Sequence, residues 1–158
     1  MRGEKSGVRG DTARESGPGC VAAASVVGLA RVPCPGMGTD FTDLVAWREA
    51  ARLAADVLVA ARRVRGLAGG TAASQMVRAA ESIPANVAEG YGRGLSADGA
   101  RLLRVARASA AELESHLRVA GLGGRLPPAD VEMLVCRTRR VRALINGLLR
   151  FAAQRGRG

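Results

Sequence analysis

Apolar residues recur at three- and four-residue steps along most of the chain after residue 38, which is the spacing of amphipathic helices. In the first segment these residues are Phe41, Leu44, Val45, Ala51, Ala55, Leu58 and Ala61. A second segment begins near Thr71 and reaches about Tyr91. Its apolar face consists of Met76, Ala79, Ile83 and Val87. The glycines between residues 66 and 70 predict a loop between two helices.

Two further segments follow the same pattern. The third begins after Ser96, a residue type that caps helices, and its inner face consists of Leu102, Val105, Ala106, Ser109, Leu113, Leu117 and Ala120. The fourth runs from about Pro128 to Ala153. Its heptad positions are Leu134, Val141 and Leu148, with Arg137, Leu144 and Phe151 three positions on. Because Gly- and Pro-rich loops join the segments, the sequence predicts an all-α, antiparallel up-down-up-down four-helix bundle over residues 39–153.

The two ends of the chain lack this periodicity. Residues 1–38 are rich in Gly, Pro, Ser and Arg, and we expect a disordered N-terminal extension, or a mis-called one if translation begins at Met37. A signal peptide is disfavoured, because acidic residues precede the apolar run 20–30 and no small-residue cleavage site follows it. Thr39 or Asp40 is expected to cap the first helix. Residues 154–158 are expected to form a flexible basic tail.

A polar stripe runs beside the apolar face of the second helix. It consists of Gln75, Ser82, Asn86 and Glu89, which share one side of a helix at 100° per residue. Polar groups next to a core need partners, because an unpaired buried group costs free energy. We favour a role in fixing helix register over a ligand site. Trp47, beside the stripe of the first helix, is likewise assigned to packing.

Arg137 occupies a core-type heptad position, where a guanidinium needs a carboxylate or water. Its candidate partners are Glu89, Glu112 and Glu114. The alternative is that its long side chain reaches solvent at the bundle surface or end. The sequence leaves both interpretations open.

Positive charge adds a hypothesis about binding. Residues 1–38 carry five basic and three acidic side chains, a net +2, so +8 of the formal +10 belongs to residues 39–158. A basic surface attracts polyanions, of which nucleic acid is the first candidate. With aromatics at only 3% of the chain, we expect contacts to phosphate with weak sequence preference. The candidate contacts are Arg104, Arg107, Arg118, Arg139, Arg140 and Arg142.

Residues for catalysis or metal binding are scarce. Di-iron bundles use Glu-x-x-His motifs on two helices, whereas His116 is the single histidine and has Glu112 four residues before it. We therefore expect no enzyme activity, no cofactor and no metal site. Three cysteines without ligand spacing, Cys20, Cys34 and Cys136, favour a reducing cytoplasm. No apolar run reaches the ~18 residues of a membrane span.

Several motifs together resemble one bacterial family. They are Phe41-x-x-Leu44-x-x-Trp47-x-x-Ala50-x-x-Leu53, the run Ser82-Ile83-Pro84-Ala85-Asn86-Val87-Ala88-Glu89-Gly90 within residues 75–93, Ala106-x-x-Ser109-x-x-Glu112-Leu113-Glu114, and Leu117-x-x-Ala120-x-Leu122-Gly123. The chain resembles the four-helix-bundle proteins first noticed as products of intervening sequences in 23S rRNA genes. The resemblance covers residues 39 to about 151. It departs at residues 64–70, where the family carries a Phe-Pro pair, at Gly99, where a Glu is usual, and at Ala108, where a Gly is usual.

The resemblance implies a non-catalytic bundle. It marks as structural motif residues Gln75, Arg78, Ser82, Pro84, Asn86, Glu89, Gly90, Ser109 and Glu112. The family is also similar to the accessory subunit of diversity-generating retroelements, a basic homopentamer that associates with a reverse transcriptase and nucleic acid. By resemblance, the expected partners are further copies of this chain, RNA or DNA, or a protein such as a reverse transcriptase. The function expected is therefore nucleic-acid binding by an oligomer, with a protein-binding scaffold as the alternative.

Overall fold

The structure, a computed structural model of the chain, describes residues 40–64 and 69–155. These residues form four α-helices and no strand. The helices are α1 (Val45–Ala61), α2 (Gly69–Gly92), α3 (Ala97–Leu122) and α4 (Pro128–Arg155). The predicted all-α fold is confirmed. The expectations for residues 1–38 and 156–158 lie outside the described residues, and α4 continues past the predicted end at Ala153.

Two side chains cap helix starts, and one of them does so differently from the prediction. The Ser96 hydroxyl accepts a hydrogen bond from the backbone N–H of Gly99 at 3.3 Å, as expected for the start of α3. Asp40 caps a single 3₁₀ turn, Phe41–Asp43, and α1 begins only after it at Val45. Thr39, the other predicted cap, lies outside the described residues.

The turn between α2 and α3 requires an unusual backbone. Gly94 and Leu95 have φ angles of 70° and 56°, in the left-handed region that glycine adopts freely and leucine rarely. The Leu95 side chain is buried in the core. Burial of this side chain offsets the cost of its backbone conformation and anchors the turn.

The four helices are antiparallel to their neighbours around the bundle. Each helix contacts the next, and α4 returns to contact α1. Three ion pairs join α1 and the turn after it to α4, and positions later in α1 pair with positions earlier in α4: Glu49–Arg140, Asp56–Arg137 and Arg63–Asp130. The short connections and these pairs agree with the predicted up-down-up-down order.

The core fills the centre of the bundle with large aliphatic side chains from every helix. The largest fully buried side chains are Leu53, Val57, Met76, Ile83, Val87, Leu103, Leu113, Leu117, Leu134, Thr138, Val141 and Ile145. All four residues predicted for the inner face of α2 are buried. On α3 the predicted face is correct except for Val105, which is exposed.

The apolar pattern predicted for the first helix matches the buried face only in part. Ala61 is buried and Leu44 packs against the core, whereas Val45, Ala55 and Leu58 are exposed. The residues that α1 does bury are Ala46, Ala50, Leu53, Val57, Ala60 and Ala61. Because alanines lie on both sides of this helix, a small-residue stripe could not distinguish the inner face from the outer one. Trp47 packs against the core and meets Phe41 edge to face at 5.2 Å, as a packing residue.

The heptad prediction for α4 was half right. Leu134 and Val141 are buried, but the second series lies four positions on, at Thr138, Ile145 and Ala152. Arg137, Leu144 and Phe151 therefore flank the seam, and Phe151 is exposed. The Thr138 hydroxyl is satisfied within the helix, since it donates to the backbone carbonyl of Leu134 at 2.7 Å.

Helices α2 and α3 approach each other closely at two glycines. A Cβ on Gly99 would lie 2.5 Å from the carbonyl oxygen of Gly90, and one on Gly90 would lie 2.9 Å from the carbonyl oxygen of Gly99. These backbones could not pack so closely with a side chain at either position. The Glu that the resemblance places at position 99 would not fit this arrangement.

Candidate nucleic-acid interface

Two of the candidate arginines stand exposed on the outer side of α3. Arg104 and Arg107 have no ion-pair partner within the described ranges. Arg107 lies two helical turns before Glu114 and therefore shares its side of α3. Arg104 lines a shallow groove with Leu149 of α4. Both arginines thus belong to the surface that α3 and α4 form together.

Three more candidates converge on a single carboxylate. Glu114 Oε1 accepts hydrogen bonds from Arg118, through Nε at 3.2 Å and Nη2 at 3.0 Å, and from Arg139 Nε at 3.0 Å. Arg142 Nη1 lies 3.4 Å from the other carboxylate oxygen, Oε2. We call Glu114, Arg118, Arg139 and Arg142 the arginine cluster. It joins α3 to α4 and carries a net charge of +2.

The electrostatics of Glu114 result from two opposed effects. Burial by itself raises the pKa of the Glu114 carboxyl, because a charge in a less polar environment loses hydration. Hydrogen bonds from Arg139 and Arg118, with the charges of Arg139 and Arg142, outweigh burial, and the pKa lies below its ordinary value. The carboxylate is therefore ionised at neutral pH and holds the three guanidinium groups.

The sixth candidate, Arg140, lies on another side of the bundle. Its Nε lies 3.7 Å from Glu49 of α1. Arg140 thus flanks the boundary between α1 and α4, away from the arginine cluster. The structure brings five of the six predicted contacts onto the α3–α4 surface and leaves Arg140 outside it.

Arg137 has a partner that the sequence did not suggest. It pairs with Asp56 of α1, not with Glu89, Glu112 or Glu114. Both side chains are half-buried at the edge of the core. The sequence did hold one sign of a carboxylate facing another helix. Asp56 follows Glu49 by two helical turns, so the two carboxylates lie on the same side of α1.

The polar stripe of α2 is satisfied by hydrogen bonds at its centre. Ser82 and Ser109 share a hydrogen bond between their hydroxyls at 2.9 Å, which links α2 to α3. Asn86 donates to the Ser82 carbonyl at 2.8 Å and to its hydroxyl at 3.1 Å. This pairing agrees with the register interpretation, because a one-residue slip would separate the two hydroxyls. Gln75 is half-buried.

The other motif residues lie apart from the arginine cluster. Arg78 is exposed, and α2 continues unbroken through Pro84. Glu89 pairs at 2.6 Å with Arg93, which also bonds Asp98 at the start of α3. The hydrogen bonds that Arg93 donates to Glu89 and Asp98 raise the pKa of Arg93, and those that Asp98 accepts from Arg93 and Arg101 lower the pKa of Asp98. These exposed charges connect α2 to α3 across the turn.

The single histidine, His116, has one ion-pair partner among the described residues. His116 Nε2 lies 3.6 Å from Glu112 Oε1. Across residues 40–64 and 69–155, no group of three or more His, Cys, Asp or Glu side chains could hold a metal ion. Within the same ranges, no helix combines the length and apolar character of a membrane span.

Comparison with known proteins adds one finding. The family model described as 23S rRNA-intervening sequence protein matches residues 42–147. The matched range includes α1, α2 and α3 completely, α4 as far as residue 147, and every residue of the arginine cluster. No curated protein matches the chain.

Proposed function

The chain belongs to the 23S rRNA-intervening sequence protein family, and on that premise we propose that it is a non-enzymatic helical bundle that binds nucleic acid through its α3–α4 surface. The observation that carries the proposal is the position of Arg104, Arg107, Arg118, Arg139 and Arg142 on one side of the bundle. Only one carboxylate, Glu114, is bonded to any of these five arginines among the described residues. The remaining charge is available to phosphate.

The expected contacts are electrostatic and largely independent of sequence. Arginine forms paired hydrogen bonds to phosphate oxygens, and each contact releases condensed counterions. Two of the four aromatic side chains, Phe41 and Trp47, contact each other on the α1 side and so do not form a stacking platform beside the arginine cluster. The protein therefore recognises the phosphate backbone and not the bases.

The first prediction concerns salt dependence. If five arginines contact phosphate, the logarithm of the affinity falls against the logarithm of salt concentration with a slope of about −3.5 for single strands and about −4.5 for duplex DNA. The double variant Arg104→Gln/Arg107→Gln should reduce the magnitude of this slope by about 1.4 to 1.8. Fluorescence anisotropy of a labelled oligonucleotide between about 50 and 200 mM salt measures it.

The matched control removes the same charge elsewhere. Arg48→Gln/Arg52→Gln lies on α1, which is not a neighbour of α3 in the bundle. It should lower affinity slightly through net charge and leave the slope nearly unchanged. Equal slopes for the two double variants would contradict the proposed surface, and a salt-independent affinity of the wild-type chain would contradict nucleic-acid binding through phosphate.

We propose self-association as a second property, through the groove between α1 and α4. Val59 and Met133 line this groove and are 52% and 38% exposed, so together they leave adjoining apolar surface that a second copy could cover. The ion pair of Arg63 with Asp130, at 3.1 Å, borders it. An apolar strip rimmed by charges is typical of protein interfaces. The resemblance described above implies five copies.

The second prediction tests this groove. Light scattering after size exclusion should give the wild-type chain a mass above the 16.3 kDa of one copy. Val59→Gln/Met133→Gln should shift the mass towards one copy, because it removes apolar surface from the contact. Val119→Gln is the control, since Val119 is exposed on α3, which contributes no residue to this groove, and should not change the mass. A wild-type chain of single-copy mass at all concentrations would exclude self-association.

A further inference from the structure

We propose that Glu114 is a positioning residue that holds Arg118, Arg139 and Arg142 as a preorganised binding site for a phosphodiester of the nucleic-acid backbone. The inference rests on the proposed nucleic-acid binding and deepens it. It assigns a favourable role in binding a polyanion to a negatively charged side chain.

The hydrogen bonds of the arginine cluster leave donors for a ligand. Arg118 donates to Glu114 through Nε and Nη2, whereas Arg139 donates through Nε and places Nη2 at an ion-pair distance of 2.9 Å. The Nη1 groups of both arginines make no hydrogen bond or ion pair with the part of the chain that the structure describes. A guanidinium has five N–H donors in a fixed plane. Each arginine can thus hold Glu114 with one edge and phosphate with another.

Burial places the opposite charges at different depths. The Glu114 side chain is 12% exposed, whereas Arg118 and Arg139 are 50% and 56% exposed and Arg142 is 38% exposed. A phosphate approaching this surface therefore meets guanidinium groups first and the carboxylate only beneath them. Because attraction falls with distance, three outer positive charges outweigh one inner negative charge.

The largely buried Glu114 carboxylate restrains the side chains of the three arginines. A free arginine on a helix surface samples many rotamers and loses that freedom when it binds phosphate. Glu114 imposes this restriction before the ligand arrives, and it draws one arginine of α3 and two of α4 together across the helix boundary. The lowered pKa of Glu114 keeps the carboxylate charged at neutral pH, so the restraint persists.

Arg142 is the loosest member of the arginine cluster. The Glu114 Oε2 atom that it approaches at 3.4 Å is buried and accepts no hydrogen bond. The pair is therefore held by charge and not by a directed bond, and Arg142 can turn towards a ligand at little cost. The site combines two fixed guanidinium groups with one adjustable group.

The contrary view is that Glu114 merely neutralises the arginines. The two views predict opposite changes in RNA affinity when the carboxylate is removed. Glu114→Gln makes the protein more positive by one charge. If Glu114 only cancels charge, this variant binds RNA more tightly. If Glu114 positions the arginines, it binds more weakly, because a neutral amide does not hold three guanidinium groups.

Glu112→Gln is the matched control, because it removes the same charge two residues away. Glu112 is exposed, and its one ion-pair partner among the described residues is His116. Anisotropy of fluorescein-labelled oligouridine RNA at fixed salt compares the variants. We expect Glu112→Gln to bind as well as the wild-type chain or slightly better, and Glu114→Gln to bind about three- to tenfold more weakly.

A second variant covers the case in which Glu114→Gln fails to fold. Arg118→Lys/Arg139→Lys keeps every charge but replaces two planar forks by flexible ammonium groups. Both side chains are exposed, so the fold should be retained, and RNA binding should weaken to a similar extent. Wild-type affinity in this variant, or Glu114→Gln affinity equal to or above that of Glu112→Gln, would overturn the site while leaving nucleic-acid binding intact. If the wild-type chain itself does not bind the RNA, both the site and the proposed nucleic-acid binding are overturned.

Discussion

Gly99→Ala lowers the free energy of unfolding by about 1–3 kcal/mol, the usual cost of overpacking a tight contact. The new methyl group would lie 2.5 Å from the carbonyl oxygen of Gly90. This neighbour is backbone and cannot rotate away, so α2 and α3 must separate. Separation weakens the packing around Leu103, which is fully buried beside Gly90. Urea denaturation followed by circular dichroism at constant protein concentration measures the change.

Two other glycines provide an internal scale for this prediction. Gly90→Ala should cost less than Gly99→Ala, because its Cβ would lie 2.9 Å from the nearest atom. Gly147→Ala is the control with space, since its nearest neighbour is the flexible end of Arg150 at 4.0 Å. Alanine there should stabilise α4 by about 0.5–1 kcal/mol through helix propensity. A stabilising Gly99→Ala would contradict the close approach of α2 and α3.

Asp56→Leu lowers the free energy of unfolding by about 1–3 kcal/mol, between the values for surface and buried ion pairs. Asp56 and Arg137 are 24% and 25% exposed. Removing the carboxylate leaves a guanidinium at the edge of the core with no partner to compensate for its lost hydration. The neighbouring groove also holds Asp130, but this carboxylate is paired with Arg63 at 3.1 Å and is therefore not free to replace Asp56.

A double-mutant cycle separates the pair from its surroundings. The free energy of unfolding of Asp56→Leu/Arg137→Met should lie within about 1 kcal/mol of the wild-type value, because apolar side chains can replace an ion pair in such a position. Arg140→Ala is the surface control and should cost less than about 1 kcal/mol, as expected for an exposed pair. Additive losses in the cycle would show that Asp56 and Arg137 do not interact in solution.

The candidate interface was partly predictable. Charge and helical spacing indicated Arg104, Arg107 and Arg118, because residues of one helix keep their relative positions whatever the tertiary structure. The role of Glu114 was not predictable in the same way. Its spacing to Arg118 suggested one pair within α3, but Arg139 and Arg142 come from another helix. Only the packing of α3 against α4 brings four charges to one point.

The differences between predicted and observed helix faces have separate physical causes in α4 and α1. In a heptad the steps of three and four residues alternate, so Leu134 and Val141 can be completed by Arg137 and Leu144 or by Thr138 and Ile145. Both choices give plausible stripes on an isolated helix. The positions of α1 and α3 on the two sides of α4 decide which one is buried. In α1 the abundance of alanine removed the contrast in size that would have marked the inner face.

The sequence by itself determined the number of helices, their approximate bounds and the basic character of the folded part, because periodicity, capping and charge are properties of local sequence. Tertiary structure alone decided which side of each helix is buried, that Asp56 neutralises Arg137, and that Glu114 draws together three arginines. Those outcomes depend on distances between residues far apart in the chain. Such distances arise only when the helices pack, and burial then gives each charge its partner.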